Sequence, residues 1–273
     1  MAATLPRVEP DRRLSAWDGV GRQVDYWLTV YRRTWRGSVV SSFLVPLFNV
    51  LAFGVLLGGF VSVDPARLDG ASSYLAFIVP GMLAAQSMQT AVGETTYPVM
   101  GMIQWNKVYY SMRATPLRTG DLVAGHFAFI LFRLGSSSAV FVLVVAPFGL
   151  FATWWGAVAA WAVQLLVGMA FATVTYAYSV RLKSPEGFGL VFRLGVLPLV
   201  LFSGSFFPIA NLGSGLAWVA RLTPLWHGVD LTRMLTLGTV DAPIAALHLL
   251  VLSAMTAVGW WLSVRGLAKR MAD

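Results

Sequence analysis

The chain has 273 residues, of which 57% are apolar and only 12% are charged. Soluble domains typically carry about 25% charged residues, so this sequence has too few charges to cover a water-exposed surface. The absence of cysteine excludes disulfides and thiolate metal sites. A formal net charge of +8 in so apolar a chain is typical of a membrane protein whose basic loops set its orientation, and we do not interpret it as a nucleic-acid surface.

Six apolar segments are long enough to cross a bilayer as helices, since the ~30 Å hydrocarbon core takes about 20 residues. The third and fourth are separated only by Leu150 to Thr153, which predicts a tight helical hairpin. We therefore predict an all-α polytopic membrane protein with an N-terminal interfacial helix and six spans, at Ser38–Val61, Tyr74–Tyr97, Leu122–Gly149, Trp154–Val180, Gly189–Phe206 and Pro243–Val264.

An amphipathic helix precedes the first span. Val20, Val24, Trp27, Tyr31 and Trp35 recur at helical spacing, and the opposite face carries Arg22, Asp25, Thr29, Arg33 and Arg36. Aromatic residues on one face and arginines on the other are typical of a helix lying in the membrane interface. We expect Trp27, Tyr31 and Trp35 at headgroup depth, with Arg33 facing anionic lipid.

Three charged residues fall inside the predicted spans, where a charge costs at least ~2.5 kcal/mol. Glu94 lies about one turn from the end of the second span, Arg133 is near the middle of the third, and Arg193 is about one turn inside the fifth. A Glu94–Arg133 or a Glu94–Arg193 ion pair would neutralise two charges and join two spans. We favour such a structural pair over a proton relay, because no acidic residue lies in the middle of any span.

The loop after the second span, residues 98–120, is too aromatic for a solvated linker. Ile103 to Met112 is predicted to form a short helix that stops at Thr115–Pro116. Tyr, Trp, Met and Arg are enriched in protein interfaces, so this helix fits a docking element for another protein. A helix lying flat on the lipid headgroups fits the composition almost as well.

The loop before the sixth span, residues 203–233, is apolar but interrupted by glycines and by Pro208, which ends any continuous helix. Irregular backbone at membrane depth survives only where protein covers it or where it lines a cavity. We expect one or two short re-entrant helices that cap the outer leaflet. His227, Asp230 and Arg233 share one helical face there, and we interpret them as a local charge network rather than as proton chemistry.

The basic residues predict the orientation. Fifteen fall in segments that the spans place on one side, and only three fall on the other, at Arg67, Arg221 and Arg233. The positive-inside bias then places both termini in the cytoplasm. This topology divides the chain into a cytoplasmic N-terminus with the interfacial helix (1–37), a six-span transmembrane domain (38–264) and a cytoplasmic tail (265–273).

The sequence contains no phosphate-binding loop, serine-hydrolase elbow or zinc-binding helix. Its histidines, His126, His227 and His248, are far apart in sequence, so we predict neither a metal site nor a catalytic site.

Three segments resemble a known family. The outer segment F-S-G-S-F-F-P (Phe202–Pro208), followed by T-P-L-W-H-G-V-D-L-T-R (Thr223–Arg233), is similar to the segment between the fifth and sixth spans of type-2 ABC exporter permeases. Tyr97 to Leu117 resembles their first cytoplasmic loop. G-E-T-T-Y-P-V-M-G (Gly93–Gly101) resembles the daunorubicin-resistance and nodulation lipo-oligosaccharide branch.

The resemblance implies a permease half of the bacterial inner membrane, which pairs with a second permease, either a copy or a paralogue. It implies no cofactor in this chain, because ATP and magnesium bind to a separate pair of ATPase subunits. Phe202, Phe206, Phe207 and Pro208 would close the outer end of the path. By position, the coupling helix that docks the ATPase would comprise Gln104, Trp105, Asn106, Lys107, Tyr109, Tyr110 and Arg113.

The expected function is therefore export of an amphipathic drug, lipid or lipo-oligosaccharide, driven by the partner ATPase. Export of a lipid-linked glycan is an alternative within the same class. A stand-alone secondary transporter is the alternative from another class, and it would need no ATPase.

Overall fold

The computed structural model describes residues 15–52 and 68–272, and within these ranges the chain forms helices and no strands. Four helices are long and apolar enough to cross a membrane: α2, α4, α5 and α9. The helices are α1 (Ala16–Asn49), α2 (Tyr74–Trp105), α3 (Val108–Arg113), α4 (Thr119–Phe148), α5 (Trp154–Ser179), α6 (186–202), α7 (Gly213–Arg221), α8 (Pro224–Leu237) and α9 (Ala242–Arg270).

These four helices coincide with the second, third, fourth and sixth predicted spans. The first predicted span begins within α1, and its residues 53–61 lie outside the described residues. The fifth corresponds to α6, which consists of Glu186–Leu190, a π-helical stretch Val191–Val196 and Leu197–Phe202. Helix α6 ends four residues before the predicted boundary, because the chain turns at Gly204 with a φ of +78°. The six-span count stays a prediction.

The hairpin between α4 and α5 forms as predicted. Gly149 adopts the left-handed conformation (φ +65°) that ends α4. The Thr153 hydroxyl then accepts a hydrogen bond from Gly156 N at 3.0 Å and caps the start of α5. The two helices return antiparallel and pack against each other.

Helix α1 packs along α4. Gly125 allows this approach, because a Cβ at that position would lie 2.1 Å from Gln23 Cβ. Trp27 is buried and stacks on Phe129 with ring centroids 5.2 Å apart, and Tyr31 contacts the edge of Phe132. Trp27 and Tyr31 therefore pack on α4, where Gly125 leaves room for α1, and their depth in the membrane stays a prediction.

Helix α5 lies at the centre of the bundle and packs on α2, α4, α8 and α9. Small residues allow its close approach to α9, since a Cβ at Gly259 would meet Thr173 Oγ1 at 2.4 Å. The Ser263 hydroxyl donates to Thr173 O across the same contact at 2.8 Å. Small residues with interhelical hydrogen bonds are the usual way that helices associate in lipid.

Candidate coupling and gating sites

The aromatic loop between α2 and α4 folds differently from the predicted single helix over Ile103–Met112 or Gln104–Arg113. Helix α2 continues past Thr95 and ends in a π-helical turn, Gly101–Trp105. Lys107 then adopts a left-handed conformation (φ +51°), and a new helix begins at Val108. The prediction of one continuous coupling helix was therefore wrong, because the left-handed backbone at Lys107 separates the π-helical turn from α3.

Tyr109 is the buried anchor of this loop. Its hydroxyl lies 2.9 Å from His126 Nδ1 on α4, and it accepts a hydrogen bond from the Tyr176 hydroxyl on α5 at 3.4 Å. Burial raises the pKa of the Tyr109 hydroxyl well above its usual value, so the group stays neutral. His126 in turn stacks on Trp27 of α1, with ring centroids 4.2 Å apart. Tyr109 thus joins α3 to three other helices and is not exposed for direct contact with a partner.

The other predicted docking residues form an exposed surface at this end of the bundle. Trp105 is 57% exposed and Tyr110 is 41% exposed, and both project beside the turn of the loop. We define the coupling surface as Trp105, Asn106, Lys107, Tyr110 and Arg113, all of which are exposed. Gln104 lies partly beneath it and donates from Nε2 to Leu182 O at 2.9 Å, which fixes the loop to the segment after α5.

Two of the three charges predicted to lie inside spans form an ion pair, which is one of the two predicted alternatives. Arg133 Nε donates to Glu94 Oε1 at 3.0 Å, and both side chains are largely buried. The Arg133 guanidinium also lies 5.2 Å from the centre of the Tyr31 ring on α1. Arg193 is exposed on α6, without an ion-pair partner among the described residues. Because α2 continues to Trp105, Glu94 lies about three turns from its end rather than one.

Arg233 of α8 organises the opposite end of the bundle. Its guanidinium donates to Gly204 O at 2.7 Å, forms a 3.4 Å ion pair with Asp69, and lies 4.1 Å from the centre of the Phe77 ring. Burial lowers the pKa of Arg233 and raises the pKa of Asp69, and the attraction between the two charges opposes both shifts. This arginine holds the segment after α6 against the start of α2.

The predicted outer gate lies in this segment. Phe202 is exposed at the end of α6, whereas Phe207 is half-buried and Pro208 is buried. The Tyr74 hydroxyl donates to Phe206 O at 3.2 Å. Between these residues, Ser203 and Ser205 are fully buried and share a 2.8 Å hydrogen bond between their hydroxyls. The segment is therefore packed into the bundle.

Two short helices follow, α7 and α8, as the sequence predicts for the outer segment. Helix α8 packs on α2, α5 and α9 and so lies within the bundle. Its helical N-cap is Thr223, whose hydroxyl accepts from Trp226 N at 3.3 Å. Whether these helices enter the bilayer from outside stays a prediction.

Sequence reasoning missed the polar chain that joins α8 to α9. His227 Nδ1 lies 2.7 Å from His248 Nδ1, and His248 Nε2 lies 3.0 Å from Asp230 Oδ2. Burial, followed by the neighbouring His248, lowers the pKa of His227. The spacing of His227 and Asp230 was visible in the sequence, but nothing there indicated that His248 approaches them. Among the described residues, no three metal-binding side chains are placed to hold a metal ion.

The fold defines a polytopic helical membrane protein with a coupling surface at one end and a packed segment at the other. Its sequence matches the ABC-2 type transporter family over residues 25–237, and the chain belongs to this family. The resemblance to type-2 ABC exporter permeases is thereby confirmed.

Several relatives are known as nodulation protein J. The protein of Rhizobium leguminosarum bv. viciae is 30% identical over 90% of this chain and 95% of its own length. The protein of bv. trifolii is 31% identical over 78% of this chain and 81% of its own length. The Rhizobium meliloti protein is 28% identical over 90% of this chain and 94% of its own length. No solved structure matches the chain significantly.

Proposed function

We propose that this ABC-transporter membrane subunit exports an amphipathic molecule and takes its energy from a separate ATPase pair that docks on the coupling surface. The observation that carries the proposal is a difference in exposure within the coupling loop. Trp105 and Tyr110 are exposed, whereas Tyr109, which lies between them in the sequence, is fully buried. Exposed aromatics suit a protein interface, since Trp and Tyr are enriched among residues that dominate binding energy. ATP and magnesium would bind only to the partner.

A buried link beneath the coupling surface supports mechanical transmission. Movement of α3 would reach α4 through the Tyr109–His126 contact, and it would reach α1 through the stack of His126 on Trp27. ATP binding would act by favouring one arrangement of the docked loops, because a ligand shifts such an equilibrium only by its differential affinity for two states. Two copies of the chain, or this chain and a paralogue, would enclose the path.

The packed outer segment supports a role as the gate. It is held by hydrogen bonds from Arg233 and Tyr74, rather than by a continuous helix, so it can open without unfolding a span. The long helices carry few charges, which favours an amphipathic cargo such as a drug, lipid or lipo-oligosaccharide over a free ion. In this proposal the coupling surface and both termini face the cytoplasm, and the gate faces outward from the inner membrane.

The test is purification of the tagged protein from its native membrane in a gentle detergent, followed by mass spectrometry of what co-purifies. We expect a stoichiometric ATPase with a phosphate-binding loop. The double variant with Trp105→Ser and Tyr110→Ser should no longer co-purify with the ATPase, because loss of each dominant aromatic contact typically costs about 2 kcal/mol or more.

The matched control is the double variant with Trp154→Ser and Trp155→Ser, which changes two other aromatic side chains that are 64% and 65% exposed. That pair begins α5, roughly 33 Å from Tyr176 along the helix axis. The control should retain the ATPase. Export that continues after deletion of every co-purifying ATPase would instead identify a stand-alone secondary transporter.

A further inference from the structure

A basic cavity lies between the ends of two membrane-spanning helices, on the same end of the bundle as the coupling surface. It has a volume of about 470 Å³, within the range of about 300–1,000 Å³ typical of small-ligand sites. It is lined by Val180 and Gly266, where α5 meets α9, and by five basic residues: Arg181, Lys183, Arg265, Lys269 and Arg270.

None of these five cations has a carboxylate partner among residues 15–52 and 68–272. Lys269 and Arg270 lie in the last turn of α9, where the helix dipole favours positive charge. Arg181 and Lys183 follow the C-terminus of α5, where the dipole of that helix has the same effect, and they line the same cavity. Five positive charges around one cavity repel each other unless an anion occupies it.

The position of Trp261 indicates what kind of anion reaches the cavity. This side chain is exposed on α9, one turn before Arg265, and the Arg265 guanidinium lies 4.0 Å from the centre of its indole ring. Exposed Trp residues near the ends of spanning helices mark the headgroup level of a bilayer. Arg265 therefore lies where a spanning helix leaves the hydrocarbon, with its cavity open to the phosphate layer.

We propose that this cavity binds the phosphate of an anionic phospholipid headgroup, with Arg181, Arg265 and Lys269 as the principal contacts. Basic cavities between spanning helices are suited to anionic headgroups. The occupant is a resident lipid that joins the ends of α5 and α9, and it is distinct from the exported molecule. The proposal goes beyond the export function and needs only that both helices cross the bilayer, so failure of the ATPase assignment would leave it intact.

The test is native mass spectrometry of the detergent-solubilised full chain during titration with phosphatidylglycerol. Two separate titrations serve as comparisons, one with phosphatidylcholine of the same acyl chains and one with inorganic phosphate. We expect saturable binding of phosphatidylglycerol and much weaker binding in the other two titrations. The double variant with Arg181→Gln and Lys269→Gln should bind phosphatidylglycerol roughly 25-fold more weakly. Each basic residue near a lipid surface contributes about a fivefold increase in affinity.

The matched control is the double variant with Arg193→Gln and Arg221→Gln, which removes the same charge from exposed positions on α6 and α7 outside the cavity. The control should bind like the wild type if the cavity is the site. Equal weakening in both double variants would mean a diffuse surface attraction and would overturn the proposal. Phosphate binding as tight as that of phosphatidylglycerol would also overturn it, since the cavity would then serve a soluble anion.

Discussion

The Tyr109 hydroxyl lies 2.9 Å from His126 Nδ1, and both side chains are fully buried. This contact joins the short helix of the coupling loop to the region where α1, α4 and α5 meet. A loop held only by its surface residues would move independently of the spans. With Tyr109 in place, displacement of α3 must move His126 or break the hydrogen bond.

Tyr109→Phe is expected to destabilise the protein by about 1–3 kcal/mol, because it leaves a buried histidine nitrogen without its partner. The measurement is the Tm in detergent, together with ATPase activity of the reconstituted transporter. Tyr110→Phe is the matched control, since its exposed hydroxyl makes only a 3.4 Å contact with Arg270 O. Equal Tm values for the two variants would show that the Tyr109 hydroxyl contributes nothing to stability.

The Glu94–Arg133 ion pair should appear as coupling in a double-mutant cycle. Glu94→Gln or Arg133→Gln alone is expected to cost roughly 1–3 kcal/mol, less than for a fully buried pair because both side chains retain some exposure. The double variant should cost less than the sum of the two. Arg193→Gln, at an exposed position, serves as the control and should change the Tm little. Strict additivity would mean that the pair adds no stability.

The positions of the long spans could be predicted because apolar length alone decides whether a helix can cross the bilayer. The Glu94–Arg133 pair could also be predicted from the sequence, because the predicted spans contain few charged residues and each of them therefore has few possible partners. Burial of Tyr109 could not be predicted, because the pattern of the loop allowed a continuous helix and indicated neither the break at Lys107 nor the contacts of Tyr109 with His126 and Tyr176. The approach of His248 to His227 likewise depends on how α8 and α9 cross, which periodicity within one helix does not specify.

Acidification should destabilise the contact between α8 and α9. The pKa of His227 in the folded protein is lowered from its ordinary value of 6.5 by burial. Its stabilising contribution is therefore complete above about pH 6.5 and is lost as the pH falls from there toward the lowered value, by at most about 1.4 kcal/mol per pH unit. The groups that face it are His248, Asp230 and Trp226.

The measurement is the Tm of the wild type and of His227→Gln across pH 8 to 5. The wild type should lose more Tm than the variant between pH 6.5 and 5, because only the wild type must protonate His227 on unfolding. Parallel curves for the two proteins would assign the acid sensitivity to other groups.

Two glycines on α4 should respond differently to alanine. At Gly125 a Cβ would lie 2.1 Å from Gln23 Cβ, so α1 must shift, and Gly125→Ala is expected to cost about 1–3 kcal/mol. At Gly120 a Cβ meets nothing within 4 Å, so Gly120→Ala should be neutral or stabilising by up to about 1 kcal/mol. The Tm values decide between them, and similar losses at both positions would count against close packing of α1 on α4.

The gate can be tested at Gly81, because the chain has no native cysteine and one reporter suffices. A Cβ at Gly81 would lie 2.5 Å from both Ser205 Cα and Ser205 O, so Gly81→Ala must push the outer segment away from α2. Ser205→Cys places a thiol where the wild-type side chain is fully buried. A membrane-impermeant maleimide is added outside intact cells. We expect it to label the single variant Ser205→Cys slowly, and to label the double variant with Ser205→Cys and Gly81→Ala several-fold faster.

Gly93→Ala is the control on the same helix, since a Cβ there meets nothing within 4 Å. It should leave the labelling rate unchanged, because α2 gains a methyl group without displacing Ser205. Acceleration by both alanines would indicate general loosening of α2 rather than release of the gate. Rapid labelling of Ser205→Cys without any second change would mean that the outer segment is already open in the membrane.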